Sequence, residues 1–299
     1  MSRGPSEAFF VPVTVASTGL PGSRKIAALG RLLLRRPLLP LGVAVLLLVL
    51  SWSVWPGVFS HYDPLLGVPA HALQAPSVEH WFGTDHLGRD LYSRTVHGAS
   101  LSLRATALAV LIALVAGIAL GIVAGFFGGP LDAILMRLVE VLMAIPSLLL
   151  AMAVITVLGF GTVNIALAVG LSSVATFARL VRGEVLRWRT STFVEAAAAC
   201  GAGPWSIIRR HILAHAAGPV MALAALEFGS AVLSVSALSF LGFGAPPPQP
   251  EWGLLIAEGR NYMIAAWWYT TLPGVVVAAV VLATNQVARA LQDRHGVRR

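Results

Sequence analysis

Carboxylates inside apolar runs are the side chains of this 299-residue sequence that could do chemistry, and that chemistry would be proton transfer. Arg137 precedes Glu140 by three residues, which favours a mutual ion pair at a helix–helix contact. Glu227 has no basic residue within a helical turn. We expect it to be protonated or hydrogen-bonded, either lining a pathway or at a helix–helix contact. Asn285 and Gln286 give a weaker signal of the same kind, for which packing is favoured.

The residue patterns of catalytic sites are absent from the sequence. Lys25 is the only lysine and follows Arg24, so there is no GxxxxGK phosphate-binding loop and no expected ATPase activity in this chain. Cys200 is the only cysteine, so no intrachain disulfide is possible. Five histidines precede residue 100 without HExxH or i, i+4 spacing, so no metal site is predicted. These are His61, His71, His80, His86 and His97.

The composition indicates the elements that must hold these residues. The sequence is 57% hydrophobic and 11% charged, with a mean hydropathy of +0.80, whereas soluble domains are about 25% charged. Six apolar runs predict transmembrane helices at 38–59, 105–127, 138–158, 163–180, 218–240 and 269–290. Residues 1–30 are predicted to be a mobile cytoplasmic tail, and residues 31–299 to be one all-α, polytopic membrane domain.

Six spans place both termini on one side, and the basic residues choose that side. All but four of the 21 basic residues flank one set of connections, which the positive-inside rule places in the cytoplasm. The exceptions are Arg89, Arg94, Arg104 and Arg260. The net charge of +8 is explained by these topology-setting arginines, so a nucleic-acid partner is not predicted.

Small residues, prolines and aromatic residues predict how the spans pack. Gly117, Gly121 and Gly125 form a ridge that lets another helix approach closely. Bent or broken helices are expected at Pro146, Pro219 and Pro273. Aromatic rings at the outer ends of the first and last spans are expected at the membrane interface. These are Trp52, Trp55, Phe59, Trp267, Trp268 and Tyr269.

Residues 193–213 form a polar, basic segment between apolar runs, called here the polar island. Thr192 is expected to cap a first short helix that carries Glu195, and Gly201 to end it. Pro204 then begins a second short amphipathic helix. Its apolar stripe would contain Trp205, Ile208 and Ile212, with Arg209 and Arg210 on the opposite side.

The polar island resembles the cytoplasmic EAA loop of binding-protein-dependent ATP-binding cassette importer permeases. The resemblance lies in Glu195-Ala196-Ala197, in Gly201, and in His211-Ile212-Leu213. It implies an importer-permease (MetI-like) fold in which residues 183–214 form the coupling loop to a cytoplasmic ATPase. The coupling residues would be Glu195, Ala196, Ala197, Gly201, Pro204, Trp205, Ile208, Arg209, Arg210 and His211.

Residues 82–103 resemble the segment before the second span in C-type (DppC/OppC-like) permeases of the dipeptide, oligopeptide and nickel group. The shared motif contains Gly83, Thr84, Asp85, Gly88, Arg89, Asp90 and Arg94. The glycines favour tight turns, the aspartates can cap the next helix, and Arg89 can bridge carboxylates, so a structural role is favoured over a substrate role. Residues 238–253 carry a third match, in which Trp252 is expected at the membrane interface.

The resemblance implies a permease subunit of an ATP-driven importer, of di- or oligopeptides above other substrates, in a prokaryotic plasma membrane. Implied partners are a homologous permease in a heterodimer, one or two ATPase subunits that hold ATP and Mg, an extracytoplasmic solute-binding protein and lipid. This chain would bind no cofactor itself. The alternative is an ion-coupled secondary transporter using Glu227 and Glu140, and a membrane-embedded enzyme ranks third.

Overall fold

The computed structural model describes residues 38–294, and in this range the structure is helical, with one isolated bridge between Thr84 and Asp90. The predicted tail, residues 1–30, lies outside the described residues. The helices are α1 (Leu38–Val54), α2 (Pro56–Phe59), α3 (Leu91–Phe127), α4 (Gly129–Ala144), α5 (Ser147–Leu158), α6 (Thr162–Arg189), α7 (Thr192–Ala199), α8 (Pro204–Phe240), α9 (Trp252–Gly259) and α10 (Trp267–Arg294). Short 3₁₀ turns cover Pro69–His71 and Arg260–Tyr262.

The predicted all-α membrane fold is confirmed, whereas the count of six spans stays a prediction. Among the described residues, four helices are long and apolar enough to cross a membrane, namely α3, α6, α8 and α10. The pair α4 and α5 would make a fifth span, although its axis bends by 97°. Helix α1 is apolar, and the 17 residues of it that the structure describes are fewer than the ~20 that a straight crossing needs.

Pro146 breaks the predicted run 138–158 into two helices, as expected for a residue without a backbone N–H. Pro219 and Pro273 behave differently, because both lie inside helices that continue past them. The helices are therefore not broken there, a bend at either proline stays a prediction, and a proline inside a membrane helix can be accommodated by its neighbours.

The glycine ridge brings α3 and α6 together, as predicted. A Cβ atom added to Gly117 would lie 2.3 Å from the Phe177 Cβ, and one added to Gly121 would lie 2.7 Å from the Val181 Cβ. Helix α10 packs on α8 and α1, and α8 also packs on α6 and α3. The core therefore lies between α3, α6 and α8, where small side chains allow the helices to approach closely.

The aromatic clusters at the outer helix ends only partly face outward. Trp55 and Trp267 are exposed, as interfacial rings should be. Trp52, Trp268 and Tyr269 are buried inside the protein, so their prediction as interfacial rings was wrong. Large aromatic rings bury much apolar area, and packing against α3 and α9 provides that burial here.

Candidate functional site

Helix α7 forms the first half of the polar island. The residue that precedes it is Ser191, not Thr192, and the Ser191 hydroxyl donates to the Trp188 carbonyl instead of capping the helix. Val194 is buried and holds α7 against the bundle, while Glu195 lies exposed in the first turn. A carboxylate at this end of a helix is favoured by the partial positive charge of the free N–H groups.

Gly201 ends α7 with a φ of +85°, a conformation that side chains with a Cβ rarely adopt. The chain then turns at Gly203, and Pro204 is the first residue of α8. The prediction of a separate second short helix was wrong, because the helix that begins at Pro204 does not end within the polar island. This helix runs through a π-helical turn, Ile208–Ile212, straight into the long apolar helix, so Pro204–Phe240 is a single element of 37 residues.

The inner face of this turn differs from the predicted stripe. Ile207, Ile208 and Ile212 are buried, whereas Trp205 is 70% exposed and projects from the surface. The buried face of this segment therefore includes Ile207 in place of Trp205. Arg209 and Arg210 are exposed, as expected.

The predicted coupling residues therefore divide into two groups. Most are exposed on one continuous part of the chain: Glu195, Ala196, Gly201, Pro204, Trp205, Arg209 and Arg210. Ala197 and His211 are half-buried, and Ile208 is buried, so Ile208 supports the surface from inside. Sequence reasoning missed His215, which lies 4.6 Å from the Trp188 ring and 4.9 Å from the Phe193 ring. These rings join α6, α7 and α8.

The predicted outer-face motif forms a buried turn ahead of α3. Gly83 and Gly88 have φ values of +72° and +74°, which explains the two glycines. Asp90 is the N-cap of α3 and accepts from the Ser93 N–H at 2.7 Å. The other Asp90 carboxylate oxygen lies 2.8 Å from the His80 Nδ1.

Four charged side chains meet behind this turn. The Arg89 Nε donates to Asp85 at 2.5 Å, and the Arg94 Nη2 donates to Glu258 at 3.2 Å. Arg94 also lies 3.6 Å from Asp85, and Arg89 lies 3.5 Å from Glu258. The two positive and two negative charges balance, and Tyr269 donates to Glu258 at 3.1 Å. A charge cluster whose members satisfy one another in this way supports the structural role.

Two acidic residues of this region were missed from the sequence. No sequence signal pointed to Glu258, because the motif already contains two aspartates for its two arginines, and only the structure shows that Asp90 pairs with His80 instead. Glu251 is completely buried and is the N-cap of α9, accepting from the N–H groups of Gly253 and Leu254. Burial raises the pKa of Glu251, while hydrogen bonds from the N–H groups of Gly253 and Leu254 and from the Ser102 hydroxyl act in the opposite direction.

Trp252 was predicted at the membrane interface, and that prediction was wrong. Its side chain is fully buried, and its indole N–H donates to the Thr95 carbonyl at 2.9 Å. The backbone N–H of Trp252 also donates to the Ser102 hydroxyl at 3.2 Å. The proline-rich outer segment is therefore fixed to α3 through the protein interior.

The candidate pathway residues lie at contacts within the bundle. Glu227 on α8 is half-buried and lies beside Ser173 on α6. Asn285 on α10 faces Gly229 on α8, with 3.5 Å between its Oδ1 and a Cβ placed on that glycine. Glu140 pairs with Arg137 at 3.2 Å as predicted, but both side chains are mainly exposed, so this ion pair is not at a helix–helix contact within residues 38–294. Among those residues, no group of three His, Cys, Asp or Glu side chains could hold a metal ion.

Long apolar helices joined through a polar island define a polytopic, helical membrane protein. The model of the family "Binding-protein-dependent transport system inner membrane component" matches residues 117–297. The chain belongs to this family and is therefore a permease component of a transport system in the inner membrane.

Similar proteins are permease subunits of the same kind of transport system. The sequence is 41% identical over 225 residues to the dipeptide transport system permease protein DppC of Alkalihalophilus pseudofirmus, covering 75% of this chain and 74% of that one. It is 38% identical over 251 residues to the probable D,D-dipeptide transport system permease protein DdpC of Escherichia coli, covering 84% and 83%. It is 38% identical over 253 residues to the glutathione transport system permease protein GsiD of Pectobacterium atrosepticum, covering 84% of each.

Solved structures confirm the importer-permease fold. An inward-facing structure of the MetNI methionine ABC transporter matches with a TM-score of 0.51 at 19% identity, covering 66% of this chain and 96% of that one. An amino acid ABC transporter with histidines matches with a TM-score of 0.53 at 16% identity, covering 68% and 94%. At these identities the likeness shows a shared fold.

Proposed function

We propose that this chain is one of two homologous permease subunits of an ATP-driven importer of short peptides, and that it forms half of the translocation path. The substrate class is supported by its relatives, whose names specify dipeptides, D,D-dipeptides and glutathione. The chain lacks a phosphate-binding loop, so ATP and Mg would be bound by one or two separate ATPase subunits.

The continuity of α8 is the observation that carries this proposal. Its 37 residues correspond to about 55 Å of helix, whereas the hydrocarbon core of a bilayer is about 30 Å thick. One rigid element thus begins in the polar island, at exposed Trp205, and continues through the apolar core to the start of the outer proline-rich segment. A displacement of the polar island would move the bundle directly.

The exposed residues of the polar island suit a protein contact. Trp205 offers a large apolar ring, and Arg209 and Arg210 offer charges beside it. Aromatic and arginine side chains are enriched at the energetic centres of protein interfaces. We assign this surface to the ATPase subunits, with both termini on the same, cytoplasmic side. An extracytoplasmic solute-binding protein would meet the opposite end, where the 83–94 motif acts as an internal brace.

The test uses the chain reconstituted with its partner permease, ATPase and binding-protein subunits in proteoliposomes. Gly201→Pro and Glu195→Lys should abolish peptide uptake and the stimulation of ATP hydrolysis by the binding protein, while membrane insertion is retained. Gly203→Ala and Asp63→Lys are the controls, because Gly203 has open space around it and Asp63 is exposed outside the polar island. Unchanged uptake in both island variants would contradict the coupling role.

The same proteoliposomes distinguish the ion-coupled alternative that uses Glu227 and Glu140. Glu140 pairs with Arg137 on an exposed surface and Glu227 is half-buried on another helix, and no hydrogen bond within residues 38–294 joins the two carboxylates. We expect uptake to stop when ATP is removed and to persist when a protonophore collapses the proton gradient. The reverse result would overturn the ATP-driven proposal.

A further inference from the structure

A cavity in the outer segment combines aromatic faces with carboxylates. It has a volume of ≈ 240 Å³ and lies where α2, the 78–81 loop and the first turn of α3 meet. Its lining includes Phe59, Tyr62, Glu79, Trp81, Asp90 and Tyr92. The Trp81 and Tyr92 rings lie 5.0 Å apart at an angle of 54°, so they present two differently inclined aromatic surfaces. None of these residues belongs to the polar island.

Two of the rings are accessible from outside the protein. Trp81 is 63% exposed and Tyr62 is 46% exposed. Tyr92, by contrast, is held in place from behind by Trp52 and Phe82, at ring-centroid distances of 5.9 and 5.3 Å. The cavity thus has a fixed inner wall and an accessible outer wall.

The charges at the cavity are negative. Glu79 is exposed and forms no ion pair with any other residue in 38–294. The Asp90 side chain is 3% exposed, and its partners are the His80 ring and the Ser93 N–H. His61 also contributes to the lining, but no Lys or Arg of the described chain does. An anionic ligand would meet carboxylates here without a fixed positive charge to offset them.

We propose that this cavity binds an organic ammonium group. The faces of Trp, Tyr and Phe rings attract cations through their quadrupoles, and a cluster of such rings is the usual receptor for ammonium groups. Glu79 supplies the balancing charge at the open side, whereas both oxygens of Asp90 are already held by the His80 ring and the Ser93 N–H. Two sources share this chemistry, namely the free amino group of a short peptide and the amine of a lipid headgroup.

The binding test uses the full-length chain in phosphatidylglycerol nanodiscs, with tetramethylammonium as the probe, followed by saturation-transfer NMR. Trp81→Leu should raise the Kd by about two- to thirtyfold, the equivalent of a cation–π contact, and Trp81→Phe should retain most of the affinity. Glu79→Gln should weaken binding as well. Asp63→Asn is the matched charge control, because Asp63 is exposed in the same segment outside the cavity lining.

Two results would overturn the site. If Asp63→Asn and Glu79→Gln weaken probe binding equally, the probe responds only to the general negative charge of the surface. If Trp81→Leu binds the probe as well as the wild type does, the aromatic rings do not form the binding site. Because Glu79 and Trp81 are exposed, these changes leave the fold intact, and size-exclusion profiles of the variants check that.

Competition then identifies the source of the amine. Displacement by alanylalanine but not by N-acetyl-alanylalanine indicates a peptide amino group. Weaker probe binding in nanodiscs that contain phosphatidylethanolamine indicates the lipid headgroup. If neither primary amine displaces the probe, the assignment to a natural ammonium ligand is wrong. The chain alone is sufficient for every arm, so failure here leaves the coupling proposal untouched.

Discussion

Adding one methyl group to the glycine ridge should separate α3 from α6. In Gly117→Ala the new Cβ would lie 2.3 Å from the Phe177 Cβ and 3.0 Å from the Val174 carbonyl oxygen. Carbon atoms make favourable contact at about 3.5–4.0 Å, so the helices must move apart by roughly 1 Å. Both neighbouring atoms belong to, or are bonded directly to, the backbone of α6, so a rotamer change cannot relieve the overlap.

The size of the effect follows from two opposing contributions. Overpacking costs about 1–3 kcal/mol, whereas replacing glycine by alanine within a helix gains about 0.5–1 kcal/mol. These figures give a net cost between about 0 and 2.5 kcal/mol, and because the overlap at Gly117 is severe we expect Gly117→Ala to lower the free energy of unfolding by about 2 kcal/mol. Gly125→Ala should cost less, because its Cβ would lie 2.9 Å from the nearest atom, the Val185 Cβ.

The matched control is Gly183→Ala, on α6 itself. A Cβ at Gly183 has no atom within 4 Å, so only the helix-propensity gain applies and stability should be unchanged or slightly higher. The free energy of unfolding is measured by titrating the purified chain in mixed micelles with sodium dodecyl sulfate, followed by far-ultraviolet circular dichroism. If Gly117→Ala and Gly183→Ala unfold at the same detergent fraction, close glycine packing does not hold α3 to α6.

Three further perturbations test other parts of the structure. Gly201→Ala should reduce coupled ATP hydrolysis in the reconstituted complex, because left-handed backbone costs a residue with a Cβ about 1–2 kcal/mol, while Gly203→Ala should have no effect; equal rates would refute this. Glu258→Ala removes the carboxylate that accepts from Arg94 and leaves Asp85 as the one acidic side chain near two buried arginines, so it should destabilise the chain by about 3 kcal/mol in the detergent titration; a change well under 1 kcal/mol would show that the cluster is not needed. Burial raises the pKa of Glu251 above its ordinary value of 4.5, so the folded chain binds this proton more tightly than the unfolded chain. The resulting contribution to stability is complete below pH 4.5 and is lost as the pH rises through the folded-state pKa. Wild-type stability should therefore fall with rising pH relative to Glu251→Gln, and parallel curves would contradict the assignment.

Structural features that depend only on residues close together in the sequence were predictable. The spacing of Gly117, Gly121 and Gly125 predicted a close helix contact, since residues four apart share one helix face. The turn glycines Gly83 and Gly88 were also predicted, because a sharp turn favours residues without a Cβ.

The structure differs from local expectation where a helix continues through a sequence signal that usually ends or redirects one. Pro219 and Pro273 lie within continuous helices, and Pro204 starts α8 rather than a separate short helix. A proline or glycine favours the end of a helix by a few kcal/mol at most. The packing of a long apolar helix contributes more than that, so the helix continues. Trp205 also departs from its predicted apolar stripe, because Ile207 takes the buried position and Trp205 is exposed.

The sequence by itself determined the membrane character, the family and the position of the polar island, because apolar length, charge bias and short motifs are read from adjacent residues. Only the tertiary structure decided which distant residues meet. Arg94 joins Glu258 across 164 positions, and Trp252 reaches Thr95 across 157. Such contacts depend on how whole helices pack, which fixes the buried charges and the open aromatic cavity together.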